Sequence, residues 1–149
     1  EFKKVTEVNL LGTFLMSQSS VKLMKNNGGG KIINIASIYG STSSDERIYA
    51  DSGRNNSEVY SATKAGVISI TKYMAAHFGK YNILTNAISP GGIYNQQSID
   101  FVKNYQNKTP MQRMGNVDDL ISTLLYLLSE DTKYTNGQNI SVDGGFLAW

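Results

Sequence analysis

The chain has 149 residues, 40% of them hydrophobic and 17% charged, which is enough for one domain with its own core. Its 14 Lys and Arg are scattered and leave a formal net charge of +2, a pattern that excludes a clustered basic surface for nucleic acid. The absence of cysteine excludes disulfides, and no apolar run approaches the roughly 18 residues that span a bilayer. With a single histidine as well, we expect a cytoplasmic protein with no metal site, no nucleic-acid partner and no membrane partner.

The first half of the sequence predicts a helix, a buried strand and a long polar loop. Apolar residues recur at helical spacing from Phe2 to about Lys25, and the glycine run at 28–30 ends this helix. The run precedes a strand, whereas phosphate-binding loops follow one, so we interpret it as a helix-to-strand turn. Residues 31–36 form a short, apolar run rich in β-branched residues, which predicts a buried strand. Residues 38–58 are polar and form a loop that is longer than most connections.

The second half of the sequence alternates between helix and strand. The predicted elements are a helix over about 57–79, a strand at 83–88 ended by residues 89–92, a short amphipathic segment at 98–105, a helix capped by Asn116 with a leucine stripe (Leu120, Leu124, Leu127, Leu128), and a last strand at 139–142. The order α, β, α, β, α, β predicts parallel strand pairing and an α/β layered fold.

Three side chains in this framework favour proton-transfer chemistry. Tyr60 and Lys64 lie four residues apart on one predicted helix and therefore share a face. A tyrosine has a pKa near 10, and a nearby cation favours its phenolate form, so such a pair suits acid/base catalysis on an alcohol oxygen. Ser37 follows a predicted strand, at the edge where open α/β sheets bind their ligands. Taken alone, the Tyr–Lys spacing is a weak signal, because it occurs by chance in many helices and an amphipathic tyrosine on a surface helix is its usual explanation.

Four linked segments favour the catalytic interpretation of the Tyr–Lys pair over the surface-helix interpretation. "INIAS" before a loop, "YSATKAG" on a helix, "NAISPGGI" after the next strand and "SVDGGF" near the end occur in the order found in short-chain dehydrogenases/reductases. The sequence resembles that family from its first residues to about Phe146. The resemblance implies a Rossmann-like doubly wound parallel sheet and an oxidoreductase that uses NAD or NADP to interconvert an alcohol and a carbonyl.

The resemblance also implies a role for individual residues. Tyr60 matches the catalytic acid/base, and Lys64 matches the lysine that favours the phenolate and holds the nicotinamide ribose. Ser37 matches the serine that orients the substrate oxygen. Asn9, in "VNLLGTF", matches the asparagine that bends its helix and holds a water in a proton relay to the lysine.

A further segment is expected to bind the cofactor. Pro90, Gly91 and Ile93 match backbone positions that contact the nicotinamide carboxamide. Asn95 stands where the family often has a threonine that contacts the cofactor phosphate. An amide still offers a hydrogen-bond donor there.

The sequence lacks the glycine-rich turn that should follow a first strand in a dinucleotide-binding fold. We therefore expect residues 1–149 to be a single partial domain, the C-terminal part of such a fold with about three strands. The inner edge of the first strand would be unpaired, which favours association with another chain. The fragment alone is expected to be inactive. The resemblance further implies a homo-oligomer formed through the helices at 2–25 and 57–79.

Residues 41–58 are interpreted as an inserted loop over the active site, because Ser37 and Tyr60 are farther apart than in most single-domain family members. The loop is either a surface excursion or a substrate-recognition flap in which Tyr49, Arg47 and Arg54 offer stacking and anion contacts. The insertion resembles that of reductases from bacterial flagellar and surface-sugar pathways. This resemblance suggests a polar, sugar-derived alcohol or ketone as substrate.

Two alternatives to the oxidoreductase hypothesis are kept. The same Tyr–Lys pair occurs in nucleotide-sugar epimerases and dehydratases, whose spacing the loop also resembles. The other alternative is a non-catalytic α/β fragment that acts in assembly with a partner chain.

Overall fold

The computed structural model describes residues 1–49 and 56–149. Its helices and strands are α1 Phe2–Val5, a π-helical segment Thr6–Leu11, α2 Gly12–Asn26, β1 Gly30–Ile35, α3 Glu58–Phe78, β2 Ile83–Pro90, α4 Ile99–Lys108, α5 Ile121–Leu128 and β3 Asn139–Val142. Short 3₁₀ helices lie at Ile38–Gly40, Glu46–Ile48, Gly79–Tyr81, Val117–Leu120 and Phe146–Ala148. The α/β fold predicted from the sequence is confirmed.

The first helix runs without interruption from Phe2 to Asn26 but changes its winding over the π-helical segment. Threonine hydroxyls bond back to the backbone at both ends of the segment. Thr6 Oγ1 donates to Phe2 O at 2.9 Å and Thr13 Oγ1 donates to Asn9 O at 2.8 Å. Such bonds bend helices. Periodicity predicted the helix but not the π segment, because one widened turn does not interrupt the apolar spacing.

The three strands that the described residues form make one parallel sheet in the order β1–β2–β3. The central strand, β2, is buried over most of its length. We predicted that β2 ends at Ile88, and this was wrong. Ser89 and Pro90 continue the strand because they pair with Ser141 and Val142 of β3. β3 itself has the predicted bounds.

The carboxyl ends of β1 and β2 lie side by side. Their register pairs Ile35 with Ile88, and Ala36 N donates to Ile88 O at 2.8 Å. Within residues 1–49 and 56–149, β2 is the only strand that pairs with β1, and Ile35 at the end of β1 is 51% exposed. One edge of β1 therefore has no strand beside it in the described part of the chain.

Among the residues that the structure describes, the core consists of three separate clusters of buried side chains. Two small clusters lie between the sheet and the helices α2 and α3. The third, here called the strand-end cluster, is made of residues that follow β1 and β3 or belong to α4 and the segment after it: Ile38, Ile48, Tyr105, Met114 and Phe146. The apolar interior therefore extends beyond the sheet, to the side where the predicted site residues lie.

The remaining helices differ from their predictions mainly at their ends. α4 continues to Lys108, three residues beyond the predicted segment, with Ser98 as its N-cap. Asn116 is the predicted cap and forms a capping box with Asp119 before the 3₁₀ turn that precedes α5. In the predicted leucine stripe Leu127 is buried, whereas Leu128 is 45% exposed. No helix in the described ranges combines the length and apolar character that a bilayer crossing requires.

Candidate active site

Tyr60 and Lys64 lie on the first two turns of α3, as predicted. Ser57 caps this helix by accepting the Tyr60 N–H at 3.4 Å. The Lys64 ammonium lies 5.7 Å from the centroid of the Tyr60 ring and donates to the carbonyl oxygen of Ile35 at 2.9 Å. Burial lowers the pKa of the Lys64 ammonium from its ordinary value. A cation is therefore held beside the phenol at the carboxyl end of β1.

Ser37 is buried two residues after β1 ends. Its Oγ accepts the Tyr39 N–H at 3.2 Å and so caps the 3₁₀ turn Ile38–Gly40. This turn packs directly on α3, since a Cβ on Gly40 would lie 2.8 Å from the backbone carbon of Lys64. The turn thus brings the serine and the lysine, predicted as one site from separate motifs, to the same end of the sheet.

Asn9 lies inside the π-helical segment, facing α3. Its amide Nδ2 donates to Thr63 Oγ1 at 3.3 Å, and that hydroxyl donates to the Tyr60 carbonyl oxygen at 2.8 Å. Asn9 and Lys64 also line the same open groove between α2 and β1. Thr63 was not predicted as the link, and the signal that the sequence offers for it is only a threonine placed between the tyrosine and the lysine of one motif.

The segment expected to bind the cofactor follows β2 and is fixed by backbone hydrogen bonds. Gly91 N donates to Val142 O at 2.9 Å, and Gly92 O accepts from Gly115 N at 2.9 Å. Pro90 is the last residue of β2, and Ile93 forms an isolated bridge with Gly115. The backbone positions predicted from the resemblance are therefore rigidly held at the sheet edge that also carries Ser37.

Asn95 lies farther from this edge, in an exposed turn. Its N–H donates to Gln97 Oε1 at 2.7 Å, and Gln97 Nε2 donates to Ile93 O at 2.9 Å. The turn is thus fixed by its own side chains. The predicted phosphate contact of Asn95 stays a prediction.

A protein-family model described as enoyl-(acyl carrier protein) reductase matches residues 1–147. The chain belongs to the short-chain dehydrogenase/reductase family. The crystal structure of a short-chain dehydrogenase from Leptospira borgpetersenii with bound NAD+ is similar to it, with a TM-score of 0.92 and 49% identity, over 98% of this chain and 56% of that one. A Burkholderia cenocepacia gluconate 5-dehydrogenase in complex with NADP and tartrate matches with a TM-score of 0.88 at 30% identity, over 99% of this chain and 56% of that one.

A curated relative gives the same picture. The 7α-hydroxysteroid dehydrogenase of Bacteroides fragilis is 38% identical over 149 residues, which cover 97% of this chain and 54% of that protein. The chain therefore spans about half the length of the short-chain dehydrogenases and reductases that it matches.

The first described stretch of the predicted inserted loop, residues 41–49, is docked on α4. Asp45 Oδ2 contacts Lys108 Nζ at 2.6 Å, and Asn104 Nδ2 donates to the carbonyl oxygens of Arg47 and Ile48 at 3.3 and 3.4 Å. Ile48 is buried in the strand-end cluster. Nothing in the sequence spacing indicated that this loop and α4 form one packed unit.

The flap residues named from the sequence have different surroundings. The Arg47 guanidinium forms two hydrogen bonds with the Asp45 carboxylate, at 2.8 and 2.7 Å, and these hold the pKa of that carboxyl well below its usual range. The Tyr49 ring packs against Phe101 of α4 with centroids 5.3 Å apart. Burial raises the pKa of Tyr49, so its phenol stays neutral. Arg54 lies outside the described residues.

Proposed function

We propose that the full-length protein is an NAD(P)-dependent oxidoreductase that interconverts an alcohol and a carbonyl compound. The observation that carries this proposal is the Lys64 ammonium, fixed on Ile35 O at 2.9 Å and lying beside the Tyr60 ring at the edge that carries Ser37. A phenol beside a fixed cation suits proton transfer to or from an alcohol oxygen. The relatives, which are dehydrogenases and reductases by name, support this reaction over the epimerase and dehydratase alternative.

The proposed roles follow from these positions. In the reducing direction the Tyr60 hydroxyl gives its proton to the carbonyl oxygen, and in the oxidising direction it takes that proton back. Ser37 orients the same oxygen, and the Lys64 cation stabilises the phenolate that Tyr60 becomes. Asn9 acts through Thr63, which holds the backbone of Tyr60. When bound, the nicotinamide cofactor supplies or accepts the hydride.

The residues at the strand ends fit the nicotinamide end of such a cofactor. Lys64 offers an ammonium donor, and the segment from Pro90 to Ile93 places its backbone at the strand ends, where Gly91 and Gly92 carry no side chains of their own. In the described residues no strand leads through a glycine-rich turn directly into the N-terminus of a helix, the arrangement that binds a pyrophosphate, because residues 93–98 separate the glycine pair after β2 from α4. We therefore assign the nicotinamide end to this chain and propose that residues 1–149 alone do not turn over substrate.

The substrate class remains a proposal at the level of an alcohol or ketone. The names of the relatives include a hydroxysteroid, L-xylulose and D-arabinitol, so they support the functional group rather than one carbon skeleton. Our preference for a polar, sugar-derived substrate rests on the resemblance of the inserted loop to reductases of bacterial flagellar and surface-sugar pathways. The homo-oligomer through the helices at 2–25 and 57–79 likewise stays a prediction.

Tyr60→Phe in the full-length protein tests this function. We expect NADH- or NADPH-dependent turnover of a panel of ketoses, sugar alcohols and hydroxysteroids to fall at least about 100-fold, with cofactor binding retained. The matched control is Tyr73→Phe, an exposed tyrosine on the same helix, which should leave turnover unchanged. Full activity in Tyr60→Phe contradicts the proposal. A wild-type protein that acts only on nucleoside diphosphate sugars favours the epimerase alternative instead.

A further inference from the structure

Tyr105 is a buried tyrosine on α4 that the proposed reaction does not use. Its side chain is 2% exposed, and its hydroxyl oxygen accepts the N–H of Gly92 in a short hydrogen bond. Burial raises the pKa of the Tyr105 hydroxyl, so the phenol stays neutral. A buried polar group of this kind costs free energy unless it is paired, and its partner here is the segment that follows β2.

The glycine pair after β2 is fitted to this ring. A Cβ on Gly92 would lie 2.6 Å from two atoms of the Tyr105 ring, and a Cβ on Gly91 would lie 3.0 Å from its hydroxyl oxygen. Real Cβ atoms essentially never approach other atoms to 2.6 Å and seldom to 3.0 Å, and the buried ring has little room to move. Tyr105 therefore lies directly against the backbone of Gly91 and Gly92, which Val142 and Gly115 also hold through backbone hydrogen bonds.

The Tyr105 ring also contacts other aromatic residues and the rest of the strand-end cluster. It stacks on Phe101 of α4 with centroids 6.1 Å apart and on Phe146 with centroids 5.1 Å apart. It shares the strand-end cluster with Ile38, which directly follows Ser37, and with Ile48 of the inserted loop. Tyr105 thus joins α4 and the loop to the backbone after β2.

The position of Gly92 determines which part of a dinucleotide it can affect. The carboxyl ends of β1 and β2 are adjacent, so Gly92 follows its strand at the edge that carries Ser37. The hydride-bearing ring must lie within reach of the substrate atom held there. The adenosine end of an extended dinucleotide lies away from that point.

We propose that Tyr105 is a positioning residue for the nicotinamide ring, because its hydroxyl fixes the Gly91–Ile93 backbone against α4. This inference rests on the proposed function. It assigns a specific task to a side chain that otherwise serves only as core, and it makes α4 part of the cofactor site.

A comparison of two ligands in the full-length protein tests this task. NADH and NADPH contain the nicotinamide ring, whereas ADP-ribose and its 2′-phosphate lack it. We expect Tyr105→Phe to weaken the tighter-binding reduced dinucleotide about five- to tenfold, the effect of one buried hydrogen bond. The matching ADP-ribose form should change less than about twofold. The ring is kept in this variant, so the strand-end cluster stays filled.

Two further variants complete the design. Gly92→Ala disturbs the same contact by placing a methyl group on the backbone against the Tyr105 ring. It should likewise weaken the dinucleotide more than the ADP-ribose form. Tyr126→Phe removes the hydroxyl of a tyrosine on α5 that is hydrogen-bonded to Thr135 Oγ1 at 2.8 Å. This control variant should change the affinity for neither ligand. Circular dichroism spectra and melting temperatures of all variants check the fold.

The outcomes separate the inference from the proposed function. A loss of affinity restricted to the dinucleotide in both Tyr105→Phe and Gly92→Ala supports the inference. Equal weakening of both ligands shows a general loosening and overturns it, as does unchanged dinucleotide affinity in a folded Tyr105→Phe. A wild-type protein that binds neither NADH nor NADPH refutes the proposed function first, and the inference with it.

Discussion

Lys64 of α3 donates a hydrogen bond from its ammonium to the carbonyl oxygen of Ile35, the last residue of β1, at 2.9 Å. Ile35 lies two residues before Ser37, so this bond fixes the helix that carries Tyr60 to the strand that leads to the serine. The ammonium also satisfies a carbonyl at the strand end. One lysine therefore has both an electrostatic and a structural part in the candidate site.

Replacing Lys64 by arginine should move the alkaline limit of activity. Burial lowers the pKa of the lysine, so its charge is present below that pKa and is lost as pH rises through it, at a pH below the ordinary value near 10.4. A guanidinium stays charged above pH 12. We expect Lys64→Arg to have a lower maximal rate but an alkaline limb at higher pH than the wild type, measured as kcat/KM from pH 6 to 11.

The control for this experiment is Lys72→Arg, an exposed lysine on the same helix, whose pH profile should match that of the wild type. Lys64→Met, which removes the charge, should lose activity at every pH. An alkaline limb at the same pH in Lys64→Arg and wild type would assign that limb to another group.

Asn9→Ala should reduce turnover more than it reduces stability. The variant removes the donor to Thr63 Oγ1 and so releases the hydroxyl that holds the Tyr60 carbonyl. We expect kcat to fall about 10-fold while the free energy of unfolding falls by about 1 kcal/mol. The control is Asn27→Ala, an exposed asparagine that caps the same helix through Leu23 O at 2.9 Å. A turnover loss no larger than that of Asn27→Ala contradicts the link.

The sequence predicted the elements of the fold because their signals are local. The β-branched run at the end of the chain predicted β3 at its observed bounds. The apolar spacing predicted both ends of α3 to within one residue. The prediction for the end of β2 was wrong because Pro90 and the glycines after it are turn signals. In the structure, pairing with β3 keeps Ser89 and Pro90 extended. That pairing is tertiary and cannot be seen in a local pattern.

Motifs predicted the location of the candidate site residues, whereas the contacts that depend on packing were not predicted. Ser37, Tyr60 and Lys64 were predicted from their motifs, and the structure brings all three to one sheet edge, while their catalytic roles stay predictions. The docking of residues 45–49 on α4 and the contact of Tyr105 with Gly92 were not found. These contacts join residues more than ten positions apart through side-chain shape, for which a single sequence has no periodic signal.

Asp45→Asn should loosen the inserted loop from α4 in a pH-dependent way. The contacts with Arg47 and Lys108 hold the pKa of Asp45 below its ordinary value near 3.9, so their stabilisation is complete above that value and is lost as pH falls through the lower native pKa. At pH 7 we expect the free energy of unfolding to fall by about 1 kcal/mol, because the ion pair is partly solvated. The difference from the wild type should shrink below about pH 4.

Urea denaturation of the full-length protein at several pH values measures this difference. Glu46→Gln is the matched control, since Glu46 is the exposed neighbouring acid, and it should change stability little at any pH. A difference between Asp45→Asn and wild type that persists unchanged at pH 3 would show that the carboxylate charge is not what holds the loop.

Gly66 tests the packing of the π-helical segment on α3. A Cβ at this position would lie 2.7 Å from Leu10 Cδ1, so Gly66→Ala gains about 1 kcal/mol of helix propensity but loses a comparable amount by displacing the leucine. The substitution should therefore be nearly neutral alone and stabilising by about 1 kcal/mol in a Leu10→Ala background. Because the contact lies within one chain, this coupling should not depend on protein concentration. A coupling that appears only at concentrations where the protein associates would instead assign Gly66 to the predicted subunit interface between the helices at 2–25 and 57–79.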